Sequence, residues 1–242
     1  MSNKLLVFKY TYFDSVHLDA EKTMKLFQDD VPYSTERITE NYEQAIVKWI
    51  LSNVQCRDLM FSEITDAPSA YKDSILDKSF PKSIRPEGGD IDFVMPEGGN
   101  PSKAVCVEFK KVKVRIDDDG RERVNNLDKL ERLIQQGNKR QSQGFYKSYI
   151  CAVALIDSHQ YKSPNVFVRG MEGEDVKRFY NLDSIGGVHN DVGIILAEIA
   201  QPTGKSFNEM FGFGVCKLKD AVILEQPSRL TEDVQELFKV AP

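Results

Sequence analysis

Histidine and cysteine are scarce in this chain of 242 residues, which holds three histidines and four cysteines. The histidines, His17, His159 and His189, show no spacing typical of a metal site, so we assign them no role. The cysteines stand far apart, with no Cys-x-x-Cys pair among them. We therefore expect reduced thiols in a cytoplasmic protein rather than a disulfide framework.

Long apolar stretches are also absent from the sequence. The longest covers residues 149–156, whereas a membrane-spanning helix needs about 18 apolar residues. Residues 1–15 lack the layout of a signal peptide, because their apolar stretch is short and no small-residue cleavage site follows. Gly204-Lys205-Ser206 is not a phosphate-binding loop, since position 199, where that motif has glycine, is isoleucine. We expect no membrane partner.

The composition is that of a globular protein, with 41% hydrophobic and 29% charged residues. The length suits one domain covering residues 1–242. Periodicity predicts an α/β fold, a central mixed sheet with helices on its faces. Its core should span about residues 34–157, and residues 158–242 should extend the sheet or form a small subdomain. The patterns predict strands at 5–13, 59–65, 192–200 and 211–225, helices at 34–55, 126–143 and 231–239, and a loop at 66–89.

Two strand-like segments, IDFVM and AVCVEFK, carry the most informative polar residues. Side chains alternate along a strand, so Glu108 and Lys110 point the same way while Val107 and Phe109 point into a core. If the segments pair as a hairpin, Asp92 meets Glu108 and Lys110. Two carboxylates can bind a hard divalent cation, and the lysine can orient or deprotonate a water. The alternative is a solvated ion pair of little consequence between Glu108 and Lys110.

An acid on one strand, a hairpin turn and then acid-x-Lys resembles the PD-(D/E)xK nuclease superfamily, although the proline of that motif is missing. The resemblance implies a restriction-endonuclease-like core and a Mg²⁺ (or Mn²⁺) ion. Asp92, Glu108 and the carbonyl oxygen of Phe109 would hold the ion, and Lys110 would position water. Asp90 competes with Asp92, which we prefer because Ile91 and Phe93 flank it as in a buried strand.

The resemblance also implies an acid on the first helix and a glutamine on the helix after Glu-x-Lys. Glu43 is the first candidate for the acid, with Glu40 and Glu63 behind it, and a solvated helix-edge acid is the alternative. For the glutamine, Gln136 and Gln141 remain equivalent. Gly137, on the packed side of that helix, would let it lie close to the sheet.

The net charge is −5, yet residues 101–150 contain twelve Lys or Arg against seven Asp or Glu. A basic excess around Glu-x-Lys suits a phosphate backbone, although a solvated basic face is the alternative. The alternation slips at Lys110-Lys111, which predicts a β-bulge or a strand bend. The predicted nucleic-acid contacts are Lys111, Lys113, Arg115, Lys139, Arg140 and Gln141.

These features together predict a metal-dependent nuclease that hydrolyses phosphodiester bonds. DNA is the expected substrate, with RNA left open, in restriction or defence, repair or mobile-element processing. A homodimer would suit the cleavage of both strands of a duplex. The alternative function is a catalytically inactive nucleic-acid-binding or assembly protein on the same fold.

Overall fold

The computed structural model describes residues 4–9, 24–27, 43–66, 75–78, 91–116, 122–157, 179, 181–182, 186–201 and 210–239. Its α-helices are α1 (Glu43–Ser52), α2 (Val54–Ile64), α3 (Asp128–Ser142) and α4 (Ser228–Lys239). Its strands are β1 (Lys4–Lys9), β2 (Met24–Phe27), β3 (Ile75–Lys78), β4 (Ile91–Pro96), β5 (Ala104–Ile116), β6 (Glu122–Asn125), β7 (Lys147–Asp157), β8 (Gly193–Gln201) and β9 (Met210–Lys219).

These nine strands form one mixed sheet, in the order β2-β1-β9-β8-β7-β5-β4-β3, with β6 also paired to β5. Strands β5, β7 and β8 run parallel, while β3, β4 and β5 form an antiparallel meander. The chain therefore has the α/β fold that the sequence predicts. Strands β8 and β9 extend the sheet beyond β7, and β1 joins them by pairing in parallel with β9.

Helices cover both faces of the sheet. On one face, α1 and α2 pack against alternate residues of the strands, among them Val107 and Phe109. On the other face, α4 packs through Leu230 and Val234 against Ala104 and Cys106. Helix α3 lies on this second face too, since it approaches Ile150, whose neighbours Tyr149 and Cys151 belong to the first face.

Gly137 allows the close contact between α3 and the sheet that the sequence predicts. A Cβ atom at this position would overlap the Cγ2 of Ile150 and lie 3.3 Å from the Cγ1 of Val192. Because a hydrogen replaces that Cβ, the helix backbone can approach β7 and β8 closely. The approach brings the end of α3 beside the middle of β5.

Four local predictions are wrong. The segment 211–225 is a strand only as far as Lys219, where β9 ends. Residues 59–65 lie almost entirely in α2, because Cys56, Met60 and Ile64 recur every four residues on a buried helical face. The predicted loop contains strand β3. No bulge interrupts β5 against β7, since their parallel register runs unbroken from Val105 to Val114. The alternation slips because Lys111 takes a core-facing position that an apolar residue would normally fill.

Candidate functional site

Asp92 and Glu108 meet where the ladder between β4 and β5 ends. The described pairs run from Pro96 opposite Ala104 to Phe93 opposite Val107, so one further step sets Asp92 opposite Glu108. Both side chains point away from the face of Phe93 and Val107. The carboxylate of Asp92 accepts a hydrogen bond of 2.8 Å from the backbone N–H of Phe109. The hairpin thus brings together the two acids that the sequence singles out.

Glu108 is fully buried, with 0% of its surface exposed. The Nε of Arg140, on α3, donates a hydrogen bond to its Oε1 atom. Arg140 is itself 1% exposed, and its Nη1 donates to Oε1 of Gln143 at 3.2 Å. The second oxygen, Oε2 of Glu108, is buried and has no hydrogen-bond partner. Glu108 is therefore not the solvated partner of Lys110, and one of its carboxylate oxygens accepts no hydrogen bond.

The pKa of Glu108 is raised to about 7. Burial is the largest cause. The negative charge of Asp92 and the direct contact between the two carboxyl groups also raise the pKa, while the guanidinium of Arg140 lowers it. A carboxyl group with this pKa is present in both its protonated and its ionised form near neutral pH. A divalent cation bound between the two acids would favour the ionised form.

The backbone of Phe109 offers a further oxygen at the same place. In an antiparallel ladder, the N–H and C=O of one residue point to the same neighbouring strand. Since the N–H of Phe109 reaches Asp92, its carbonyl oxygen faces that edge too. Strand β4 is paired with β5 only up to Val107, and β6 begins to pair at Lys113. Among the described strands, none pairs with this edge of β5 between those two residues.

These donors fit a hard divalent ion. Mg²⁺ binds through one or two carboxylates and keeps several water ligands. Asp92, the unpartnered Oε2 of Glu108 and the carbonyl oxygen of Phe109 would supply the protein oxygens. Within the described ranges no group of three or more His, Cys, Asp or Glu side chains could hold a metal. A cation at this site would consequently depend on the backbone oxygen and on water.

Lys110 and Gln136 lie on the same side of the sheet as the two acids. Lys110 is half-buried and shares the sheet face of Glu108, two residues along β5. Helix α3 connects the parallel strands β5 and β7, so it runs antiparallel to them. Arg140 lies at Glu108, and the preceding helical turn therefore lies at the height of Lys110, two residues further along β5. That turn carries Gln136, whose Oε1 is buried without a hydrogen-bond partner. Gln141 instead donates to Asp191 at 3.1 Å, which favours Gln136 as the glutamine of the site.

The other acidic candidates for the site do not lie beside Asp92 and Glu108 among the described residues. Helix α1, which begins at Glu43, packs on the sheet face away from the Glu108 side chain. The side chain of Glu43 lies outside the described residues, as do Glu40 and Asp90. Glu63 is wrong as a candidate. It lies on α2 and pairs with Lys9 of β1 at 2.7 Å and with Lys217 of β9 at 4.0 Å. Those strands lie near the other end of the sheet.

The predicted nucleic-acid contacts do not gather on one surface. Lys111 is only 2% exposed, and Arg140 is buried against Glu108, so neither presents a charge to an external phosphate. Lys111 and Lys113 point to the face of α1 and α2, whereas Lys139 lies on α3, across the sheet. The side chain of Arg115 lies outside the described residues.

Arg140 is the site residue whose role the sequence predictions missed. It was expected on the surface as a phosphate contact. Its position does follow the buried stripe of α3, seven residues after Leu133 and three after Gly137. Helical spacing could therefore have placed it on the inner face, where a charged residue needs a partner of opposite sign.

Comparison of the chain with family models, curated proteins and solved structures finds no match. Across the described part of the chain, no helix is both long enough and apolar enough to cross a membrane.

Proposed function

We propose that this protein is a metal-dependent nuclease that hydrolyses phosphodiester bonds, with DNA as the expected substrate. The observation that carries the proposal is the position of Asp92 opposite Glu108, at the edge of β5 between its pairings with β4 and β6. One buried oxygen of Glu108 has no partner there, and the Phe109 carbonyl faces the same edge. Such an arrangement suits an oxygen-binding divalent ion.

Each residue has a distinct task in the proposed reaction. Asp92 is held by the N–H of Phe109, and Glu108 by Arg140, so both carboxylates are oriented in advance. Lys110, on the same face, orients the attacking water and assists its deprotonation. Gln136 offers a buried amide oxygen level with Lys110. A bound Mg²⁺ would stabilise the charge that develops on the phosphate.

The topology also supports the proposal. The strand with the first acid pairs antiparallel with the strand that carries Glu108 and Lys110. A helix follows, and the next strand, β7, returns parallel to β5. This order of acid strand, Glu-x-Lys strand, helix and strand is what the resemblance to the PD-(D/E)xK nucleases implies.

A second candidate is a catalytically inactive nucleic-acid-binding or assembly protein on the same fold. The contact between Arg140 and Glu108 favours it, because a buried arginine already neutralises a carboxylate that a metal would use. The two functions differ in one measurable property. A binding protein retains nucleic acid without cutting it at any concentration of divalent ion.

The test is cleavage of labelled DNA and RNA with Mg²⁺ or Mn²⁺, with and without EDTA. Glu108→Gln should reduce metal-dependent cleavage by about two orders of magnitude or more. The matched control is Glu63→Gln, which also removes a buried carboxylate, here one paired with Lys9, but lies on the opposite face. Cleavage that survives Glu108→Gln would reject the site, and nucleic-acid binding without cleavage by the wild type would favour the second candidate.

A further inference from the structure

The two acids of the site already have a positive charge beside them in the protein itself. Glu108 is buried next to Asp92, and Arg140 from α3 contacts it. Two adjacent carboxylates that are shielded from water repel each other and lose hydration, so their ionised forms need a nearby cation. Arg140 meets this need without any metal, and the fold supplies its own counter-ion.

The contact with Arg140 involves only one of the two carboxylate oxygens of Glu108. Arg140 binds Oε1 of Glu108, while Oε2 is buried and has no partner. A divalent ion at Oε2 would therefore lie on the same carboxylate as the guanidinium, not in place of it. Two cations this close repel each other, and partial burial strengthens the repulsion.

We propose that Arg140 is a built-in counter-cation that weakens divalent-metal binding at Asp92 and Glu108 until an anionic phosphate joins the site. The inference rests on the proposed function, since it concerns the same metal position. When both carboxylates are ionised, the formal charges of Asp92, Glu108, Arg140 and Lys110, which shares their sheet face, cancel. An added dication leaves an excess positive charge, which the phosphate of a nucleic acid offsets. Metal and nucleic acid should then strengthen each other's binding, as linkage requires.

The direct test is the affinity of the free protein for Mn²⁺, measured by calorimetry at one pH and one ionic strength. Arg140→Met retains much of the side-chain volume but removes the charge, and should tighten Mn²⁺ binding by about tenfold or more. Arg140→Lys keeps the charge and should stay near the wild-type affinity. A merely structural arginine predicts the opposite result, weaker binding in the Met variant.

A second variant, which leaves Arg140 in place, tests the inference if Arg140→Met does not fold. Gln143 accepts a hydrogen bond from Arg140, so Gln143→Glu places a negative charge on the guanidinium without removing its packing. This variant should also tighten Mn²⁺ binding, by less than Arg140→Met. Ser142→Glu is the matched control: it adds the same charge to an exposed neighbouring position, and its affinity should match the wild type.

The coupling between metal binding and nucleic-acid binding is measured as the Mn²⁺ affinity with and without a phosphorothioate DNA duplex, which resists cleavage. The duplex should raise the Mn²⁺ affinity of the wild type more than that of Gln143→Glu. Unchanged or weaker Mn²⁺ binding in both Arg140→Met and Gln143→Glu overturns the inference, even if the wild type cleaves DNA. Tighter binding that Asp92→Asn abolishes supports it, even if no variant cleaves nucleic acid, which would reject only the proposed nuclease activity.

Discussion

The carboxylate of Asp92 accepts a hydrogen bond of 2.8 Å from the backbone N–H of Phe109, on the strand opposite. The backbone ladder between β4 and β5 ends just before this point, so a side chain takes over where the main-chain pairing stops. The bond fixes Asp92 beside Glu108 and also turns the Phe109 backbone toward the two acids. The same contact therefore serves both the hairpin and the proposed metal site.

Asp92→Asn should separate these two contributions. An asparagine amide oxygen can still accept the N–H of Phe109, so the free energy of unfolding should change by no more than about 1 kcal/mol. Metal-dependent cleavage should fall by about two orders of magnitude or more, because the amide carries no charge for the ion. Urea denaturation and cleavage assays measure the two effects. Asp92→Ala, which also removes the acceptor, should lose stability as well, and equal activity in the wild type and Asp92→Asn would contradict the site.

Lys110→Met should lower the cleavage rate by about 10²- to 10⁴-fold, the usual contribution of a positioned proton-transfer group. Mn²⁺ affinity should not fall, since the lysine supplies no oxygen to the ion. Lys113→Met is the control, because it removes the same charge from the same strand on the opposite sheet face. Equal losses of activity in the two variants would show that general positive charge matters rather than the position of Lys110.

The buried pair of Glu97 and Lys147 should make the protein sensitive to acid. Burial by itself would raise the pKa of Glu97, but hydrogen bonds from Lys147, Thr65 and the Asp66 N–H outweigh it, and the pKa is lowered. A lowered pKa in the folded state adds stability above the unfolded value of 4.5, and that stability is lost as the pH falls through the folded value. The free energy of unfolding, measured by urea titration from pH 7 downward, should therefore fall below about pH 4.5.

Lys147→Met tests the same pair at neutral pH. It leaves Glu97 buried without its ammonium partner, so the free energy of unfolding should drop by about 3–5 kcal/mol. The acid-dependent part of the stability should shrink in the same variant, because one of the interactions that lower the pKa of Glu97 is gone. Lys103→Met is a suitable comparison, since Lys103 is exposed and contacts the same Tyr146 ring as Lys147. A loss of similar size in both variants would contradict the importance of the buried pair.

Gly137→Ala should destabilise the protein by about 1–3 kcal/mol, although alanine is the better helix former. The added Cβ would overlap Ile150, so α3 must move away from β7. Gln135→Ala, at an exposed position of the same helix, should leave the free energy of unfolding nearly unchanged. Because α3 also carries Arg140, we expect Gly137→Ala to alter Mn²⁺ affinity as well, which calorimetry on the folded variant would detect.

The sequence by itself determined the α/β class and the local arrangement of the two acids. Alternation placed Glu108 and Lys110 on one face of a strand, and the hairpin considered between the two apolar segments sets Asp92 opposite Glu108. Helical spacing predicted α3 and the close approach at Gly137. These features depend on contacts between near neighbours along the chain, which leave a periodic pattern of apolar and polar residues.

Only the tertiary structure decided which charged residues are buried and which partners they meet. Arg140 contacts Glu108 across 32 positions of sequence, and Glu63 joins Lys9 and Lys217 on strands near the far end of the sheet. Lys111 is buried in a strand whose alternation alone predicted a bulge. Periodicity reports which face a side chain occupies, but the packing of a helix on a sheet decides which polar atoms come within hydrogen-bonding distance. The counter-ion of Glu108 is therefore a property of how α3 packs on β5.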